Sequence, residues 1–467
     1  MYIPNAALFR AYDVRGIVGK TLQAADFLAI GHAFASHVGE RVQCRTPLIV
    51  AMRDGRASSP GLAEAMIEGM LHAGAHVLDG GIGPTPMCYF ATHHLHADGS
   101  VMITGSHNPP NHNGAKFMCD GASLYGPELA ALRLRVEHNQ LLHSRGKREE
   151  VSMLDEYVFE LKKALGGLAL ADIPIAWDAG NGVAGLVVEA LLKASGNKHA
   201  KLYLEPDSSF PNHHPDPAVP ENMAALQKTI RNAKGALAMG VAFDGDGDRM
   251  GAVDDLGRLL SPDHLLMLFA DDILSRHAGA TIIADVKTSD RFFERVKARG
   301  GNPLMWMTGH AHIKAKMAEM NAQFGGEASG HLFFADEYFG YDDGLYAAMR
   351  LLRLVAQSGK KLSALVDALP PIIASPEVRM ACADDQKFDV IAALAKKLAA
   401  EGATVNTLDG VRVTTPDGWW LARASNTQAV IVARSEGSNP QGLTRLMHAM
   451  HTALADQGIV IQSSDHR

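Results

Sequence analysis

Three strand–loop–helix patterns recur along the chain at intervals of about 110–125 residues. The first has an apolar strand over 47–51 and a polar loop, Arg53-Asp54-Gly55-Arg56. Its helix is opened by Ser59 as N-cap with Pro60 behind it, and closed at Gly74. A further strand is expected over 75–78. The second unit runs from a strand at 174–177 through Asp178-Ala179-Gly180-Asn181-Gly182 into a helix ending near residue 194. The third runs from 281–286 through Lys287-Thr288-Ser289 into a helix over 290–298. A strand handing over to a helix through a short polar loop is the unit of an α/β sheet. Its repetition predicts related α/β domains with mixed sheets. Residues 371–467 differ: helices near 389–400 and 441–454 flank strand–turn patterns at 410–433, the make-up of a smaller α+β domain.

Length alone allows three or four domains of about 100–150 residues each in the 467. Forty-four Lys+Arg against 51 Asp+Glu leave a net charge of −7, which argues against nucleic acid or an anionic membrane as the main partner. An anionic small substrate remains possible if positive charge gathers in one cleft. Cys44, Cys88, Cys119 and Cys382 are scattered without CxxC spacing, so neither a disulfide framework nor a zinc site is expected, and a reduced, cytoplasmic setting fits. The first residues carry Arg10, Asp13 and Arg15 and no long apolar core, so no signal peptide is expected. The richest apolar run, 265–270, is far too short to span a bilayer.

The chemistry gathers in a few polar loops. Ile103-Thr104-Gly105-Ser106-His107-Asn108-Pro109-Pro110 follows the apolar run 101–103, so a hydroxyl stands just beyond a strand end, where α/β folds place ligands. The glycine permits close backbone approach and the prolines stiffen the loop. His107 and Lys116 add donors or charge. Such a serine suits a phosphoryl group that must be carried, given up and retrieved. On its own the octapeptide would equally serve a surface turn.

Between two apolar strands lies Asp244-Gly245-Asp246-Gly247-Asp248-Arg249. Three carboxylates this close repel unless a cation holds them, and a hard divalent ion is the natural occupant. An EF-hand is excluded, because Arg249 takes the sixth position where glycine is needed and strands flank the loop. With three protein carboxylates, Mg²⁺ completed by substrate or phosphoserine oxygens is expected, and Arg249 stands ready to hold a phosphoryl group. Gly325-Gly326-Glu327-Ala328-Ser329-Gly330-His331 can present carboxylate, hydroxyl and imidazole to a polyol. Arg423-Ala424-Ser425-Asn426-Thr427 joins a guanidinium to hydroxyls, an amide and backbone N–H groups, a cradle for a phosphate dianion. Thr308-Gly309-His310 and Lys287 follow strand ends and can face a cleft, while Tyr12 and Arg15 lie in a glycine-ended turn. Each loop alone would also pass for an ordinary polar turn.

Together these stretches resemble, in order and rough spacing, the four signature loops of the α-D-phosphohexomutases. The resemblance covers essentially the whole chain. Phe9-Arg10-Ala11-Tyr12-Asp13-Val14-Arg15-Gly16 and the Gly-Glu-x-Ser-Gly-His stretch are similar to the bacterial phosphomannomutase/phosphoglucomutase branch. The resemblance implies four domains around one cleft, at 1–152, 153–255, 256–370 and 371–467. It implies Ser106 as phosphoserine, with Mg²⁺ held by Asp244, Asp246, Asp248 and a phosphoserine oxygen. Glu327 and Ser329 would bind sugar hydroxyls, and Arg423, Ser425, Asn426 and Thr427 the non-transferring phosphate. Tyr12, Arg15, His107, Lys116, Arg249, Lys287, His310 and His331 would line the cleft. The substrates implied are hexose phosphates and a hexose 1,6-bisphosphate that turns around between two transfers, and the protein is expected to be a monomer. Ala429, where the family often has proline, and the loose stretch Arg434-Ser435-Glu436-Gly437 depart from the pattern and are expected to loosen the fourth domain without removing a ligand. Lys116, His310, His331 and His107 are all candidates for acid or base. A phosphoglucosamine mutase or a serine phosphatase would share parts of this pattern. A phosphatase fits less well, since such hydrolases use a dispersed two-metal site.

Overall fold

The computed structural model describes residues 2–426 and 428–459. Apolar runs buried on both faces become inner parallel strands, and the first domain is built that way. Its sheet runs in the order Val14–Ile17, His112–Cys119, Gly99–Ile103, Leu48–Arg53, His76–Ile82, Lys147–Glu150. The last four are parallel; His112–Cys119 runs against them, and Val14–Ile17 pairs antiparallel with His112–Cys119. Helices Ala24–Arg41, Ser59–His72 and Gly126–Glu137 bury one face around Phe34, Met66 and Leu132; helix Thr85–His94 covers the other.

Two four-stranded mixed sheets follow. The second domain orders Met250–Val253, Gly240–Phe243, Ala176–Asp178, Ala200–Leu202; the third orders Asn302–Trp306, Thr281–Asp285, Phe324–Gly326, Leu332–Phe334. One continuous apolar core joins all three domains, from Val50 and Phe90 through Trp177 and Phe243 to Phe269 and Leu345. The fourth domain is a five-stranded antiparallel sheet backed by helices Lys387–Ala400 and Pro440–Ala455, with its own core around Leu394, Trp420 and Met450. It meets the third domain through a small cluster of Val286, Trp419 and Leu421. Salt bridges Arg412–Asp290 at 2.8 Å and Arg434–Asp263 at 2.7 Å clamp the same seam. Across the cleft it touches the first domain through Arg10–Asp384 at 2.9 Å.

The expected fold of three mixed-sheet α/β domains and a smaller C-terminal α+β domain is therefore present, and helix Asp290–Ala298 has its predicted bounds. Other details shift. Ser58, not Ser59, precedes the first unit's helix; Ser59 is already helical and turns its hydroxyl to Asp54. The strand expected over 75–78 extends to Ile82, and the second unit's helix stops at Leu192. Arg434, in the stretch expected to loosen the fourth domain, instead fastens it to Asp263 and to the Lys287 carbonyl. Among the described residues no helix is long and apolar enough to cross a membrane.

Candidate active site

Each polar loop begins at the carboxyl end of a strand: Ser106 after Gly99–Ile103, Asp244 after Gly240–Phe243, Lys287 after Thr281–Asp285, Thr308 after Asn302–Trp306, Glu327 after Phe324–Gly326. That is the edge of an α/β sheet where ligands bind. The domains turn these edges toward one cavity. Tyr12, Arg15, Ser106, His107, Lys116, Arg249, Lys287, His310, Glu327, Ser329, His331, Arg423, Ser425 and Asn426 all line it. Thr427 lies outside the described residues. Six cationic side chains and three carboxylates line this cavity, so an acidic protein offers a locally positive cleft to a phosphate dianion.

Ser106 stands in left-handed backbone with φ 48°, which few non-glycine residues adopt. The loop is held from beneath by Arg56, 2 % exposed, whose guanidinium donates to the carbonyls of Ser106 and Asn108 at 2.6 Å, Pro109 at 2.7 Å and His112 at 3.0 Å. Asp54 pairs with Arg56 and accepts from the Gly105 N–H at 3.0 Å. The Ser106 hydroxyl lies 3.0 Å from Asp244 Oδ2 and 3.1 Å from His107 Nδ1. Gly245 makes this approach possible, since a Cβ there would stand 2.5 Å from the Ser106 carbonyl oxygen.

Asp244, Asp246 and Asp248 are fully buried and bring ligand atoms within 4.8 Å of one another. Burial, then Asp246 and Asp248, push the Asp244 carboxyl well above its usual range; burial and Asp246 also raise Asp248. Lys116 Nζ partly offsets this, bonding Asp246 Oδ2 at 2.8 Å and also Asp248 Oδ2. Burial opposes the ammonium, but those two carboxylates outweigh it and hold Lys116 well above its ordinary value. Thr85 and Thr104 also bond Asp246 Oδ2. Asp246 Oδ1 and Asp248 Oδ1 stay buried without a hydrogen-bond partner. Oxygen donors with spare lone pairs and a shortage of positive charge fit a hard cation.

The second and third domains are stitched at this point. Met250 N–H donates to Gly330 O at 3.1 Å, and Arg249 Nε donates to His331 Nε2 at 2.9 Å. Gly330 has φ 92°, and a Cβ there would stand 2.9 Å from the Met250 carbonyl. Glu327 accepts from Gly309 N–H at 2.6 Å, and burial raises its carboxyl. Burial and Arg249 hold His107 well below the usual imidazole range; burial and Lys314 do the same to His310. Both are therefore neutral. Burial pushes the Tyr12 phenol, edge-on to His310, up to about 12. On the fourth domain Arg423 pairs with Asp409, whose Oδ2 also takes the Thr308 N–H at 2.9 Å. Lys287 reaches Glu377 at 3.2 Å.

Sequence reasoning saw the loop Arg53-Asp54-Gly55-Arg56 without giving it a role, and it missed Asp409, Glu377, Lys314 and Asp342 altogether. A buried acid–base pair directly after a strand end was the available signal for Asp54 and Arg56. The others gave none, because each acts on a residue far away in the chain.

A four-domain α/β chain with a strained serine, an acidic turn and two further polar loops around one cationic cleft has the form of a phosphoryl-transfer enzyme acting on sugars. Family models for the four domains of phosphoglucomutase/phosphomannomutase match in succession: α/β/α domain I over 6–142, domain II over 155–257, domain III over 261–372 and the C-terminal domain over 377–453. The chain belongs to the phosphoglucomutase/phosphomannomutase family. It is 43% identical over 442 residues to the phosphomannomutase/phosphoglucomutase of Pseudomonas aeruginosa, covering 94% of each chain. It is 41% identical over 462 residues to the phosphoglucomutase of Neisseria gonorrhoeae, covering 98% of this chain and 97% of the other. Among solved structures, a phosphoglucomutase/phosphomannomutase family protein from Burkholderia thailandensis superposes with a TM-score of 0.87 at 40% identity, covering 97% of this chain and 98% of that one.

Proposed function

We propose that this mutase interconverts hexose 1-phosphates and hexose 6-phosphates of mannose, glucose or both, with Ser106 as the phosphoryl carrier. The observation that carries the reading is the Ser106 hydroxyl, strained and 3.0 Å from Asp244, in one cavity with Glu327 and Arg423. Asp244, Asp246 and Asp248 would hold Mg²⁺, which when bound supplies neutralising charge to the phosphoryl oxygens. The four family matches support four units divided near residues 152, 255 and 370, with the divisions at 255 and 370 falling two residues short of the matched ends, and one polar loop in each unit.

The chain's own residues account for the rest. Phosphoserine is a dianion near neutral pH. Arg249 and Lys116 face its position and stabilise charge as the phosphoryl group leaves for the free hydroxyl of a bound hexose phosphate. Lys116 remains an ammonium, so it donates rather than accepts. His107, His310 and His331, the imidazoles that line the cleft, are the candidates for the base. Glu327 and Ser329 grip sugar hydroxyls while Arg423, Ser425, Asn426 and Thr427 hold the other phosphate. The 1,6-bisphosphate then reverses in the cleft and returns its second phosphate to Ser106.

Intact mass before and after exposure to glucose 1,6-bisphosphate tests this. Wild type should gain one phosphate and Ser106→Ala none, with mutase turnover in that variant falling at least about a thousandfold. Near-normal turnover in Ser106→Ala would remove the carrier from the mechanism.

A further inference from the structure

A tight turn of the fourth domain reaches the joint between the cleft and the seam with the third. It links the antiparallel strands Thr404–Asn406 and Val411–Thr415. Within it the Asn406 side chain accepts from the Leu408 N–H at 2.9 Å, and Leu408 packs with Met305 of the third domain against Val286, Trp419 and Leu421. Gly410 closes the turn with φ 92°, and a Cβ there would stand 2.5 Å from the Ala422 carbonyl oxygen and 2.6 Å from Arg423 Cβ. Only a glycine lets the turn lie this close to strand Gly418–Ala424, and that closeness sets Asp409 beside Arg423.

A single Asp409 oxygen then joins two domains. Oδ2 accepts from Arg423 Nε at 2.9 Å and from the Thr308 N–H at 2.9 Å. Arg423 and Thr308 line the cavity, and Asp409 does not. The next N–H along, that of Gly309, goes to Glu327 Oε1 at 2.6 Å. Two successive N–H groups of one loop are thus held by the carboxylate beside Arg423 and by the carboxylate of the Glu327 loop. A guanidinium is planar, so a bond at Nε sets the plane of its two terminal nitrogens.

A plain salt bridge between domains is the competing use of Asp409. Arg412–Asp290 and Arg434–Asp263 already fasten that seam, and neither arginine lines the cavity, whereas Arg423 does. We propose that Asp409 is a positioning residue for substrate recognition, aiming the Arg423 guanidinium into the cleft and tying it through the loop at 308–309 to Glu327, so that phosphate and sugar are gripped at a fixed separation. This rests on the mutase reading above. Without the Asp409 carboxylate the guanidinium turns freely about its own side chain, and the phosphate it grips loses its set distance from Glu327.

Steady-state kinetics of the full chain with glucose 1-phosphate test the link. Asp409→Ala should raise KM at least about fivefold with kcat within about threefold, while urea unfolding still shows a folded protein. In an Arg423→Ala background the same change should raise KM no more than about twofold further, because no guanidinium is left to aim. Asp290→Asn, which cuts the Arg412 bridge on the same seam away from the cavity, should shift KM less than about twofold. A smaller rise in Asp409→Ala, or a fall in kcat without one, would overturn the proposal. So would a larger further rise in the double variant or an equal rise in Asp290→Asn, since Asp409 would then serve attachment alone. If Asp409→Ala does not fold, Asp409→Asn, which keeps the shape and removes the charge, takes its place under the same criteria. Wild type is assayed alongside: no mutase turnover there would sink the reading of function, whereas an active wild type with an unchanged KM in the variant would sink only the role of Asp409.

Discussion

Ser106 keeps its left-handed backbone because a buried guanidinium gathers its carbonyl together with three others. Arg56 converts what would be a mobile polar turn into a platform that presents the hydroxyl at one height above Asp244. Replacing it by alanine would leave Asp54 buried without its counter-charge and four carbonyls short of a donor. Arg56→Ala is therefore expected to destabilise the protein by about 3–5 kcal/mol, measured by urea unfolding. The residues that were legible in the sequence are those whose side chains are proposed to act on a ligand. Ser106, Asp246 and Arg423 announce themselves through unusual neighbours such as alternating glycines. Arg56 and Asp409 do not, because their partners are backbone groups or side chains brought near by folding. Thr427 lies outside the described residues, so its expected contact has no counterpart here.

At the scale of elements, local signals set helix ends well where the cap is local. Ser261 accepts from His264 N–H and Ser289 from Arg291 N–H. The Ser58-Ser59 pair misled because a tertiary partner, Asp54, recruits the second serine. The seam between the third and fourth domains could not be read, since it joins Lys287 to Glu377 across 90 residues. Burial works against the Glu377 carboxylate, but Lys287 and Arg379 outweigh it and hold the group down at about 2. A depressed acid stabilises the fold above its unfolded value, near 4.5, and that contribution disappears as pH falls toward 2. The melting-temperature gap between wild type and Glu377→Gln should therefore be constant above about pH 5 and shrink steadily below it. A gap that widens in acid would reverse the assignment.

Across the whole molecule, apolar burial is unevenly shared. The first three domains are fused along a common core, while the fourth is attached through Val286, Trp419, Leu421 and a few ion pairs. Repeating periodicity made the related α/β units and the different C-terminal part legible, while the count of four came from the family resemblance. Which of them fuse was not, since a run of Val and Leu does not say whose core it enters. Trp419, 1 % exposed with Arg412 stacked 3.9 Å above its ring, carries much of the attachment. Trp419→Ala should let the fourth domain drift outward. KM for glucose 1-phosphate is expected to rise about tenfold with a smaller change in kcat, and small-angle scattering should show an enlarged radius of gyration. An unchanged radius with unchanged KM would show that the ion pairs suffice.

The Lys116 ammonium, lodged between Asp246 and Asp248, works as a built-in placeholder. If the acidic triad holds magnesium as proposed, a preparation stripped with a chelator should fall silent catalytically yet melt within a few degrees of the untreated protein, and revive when magnesium is supplied. Lys116→Met would lose that insurance: its thermal tolerance should then depend steeply on the divalent ion supplied, turning a forgiving protein into one that cannot be stored without its salt.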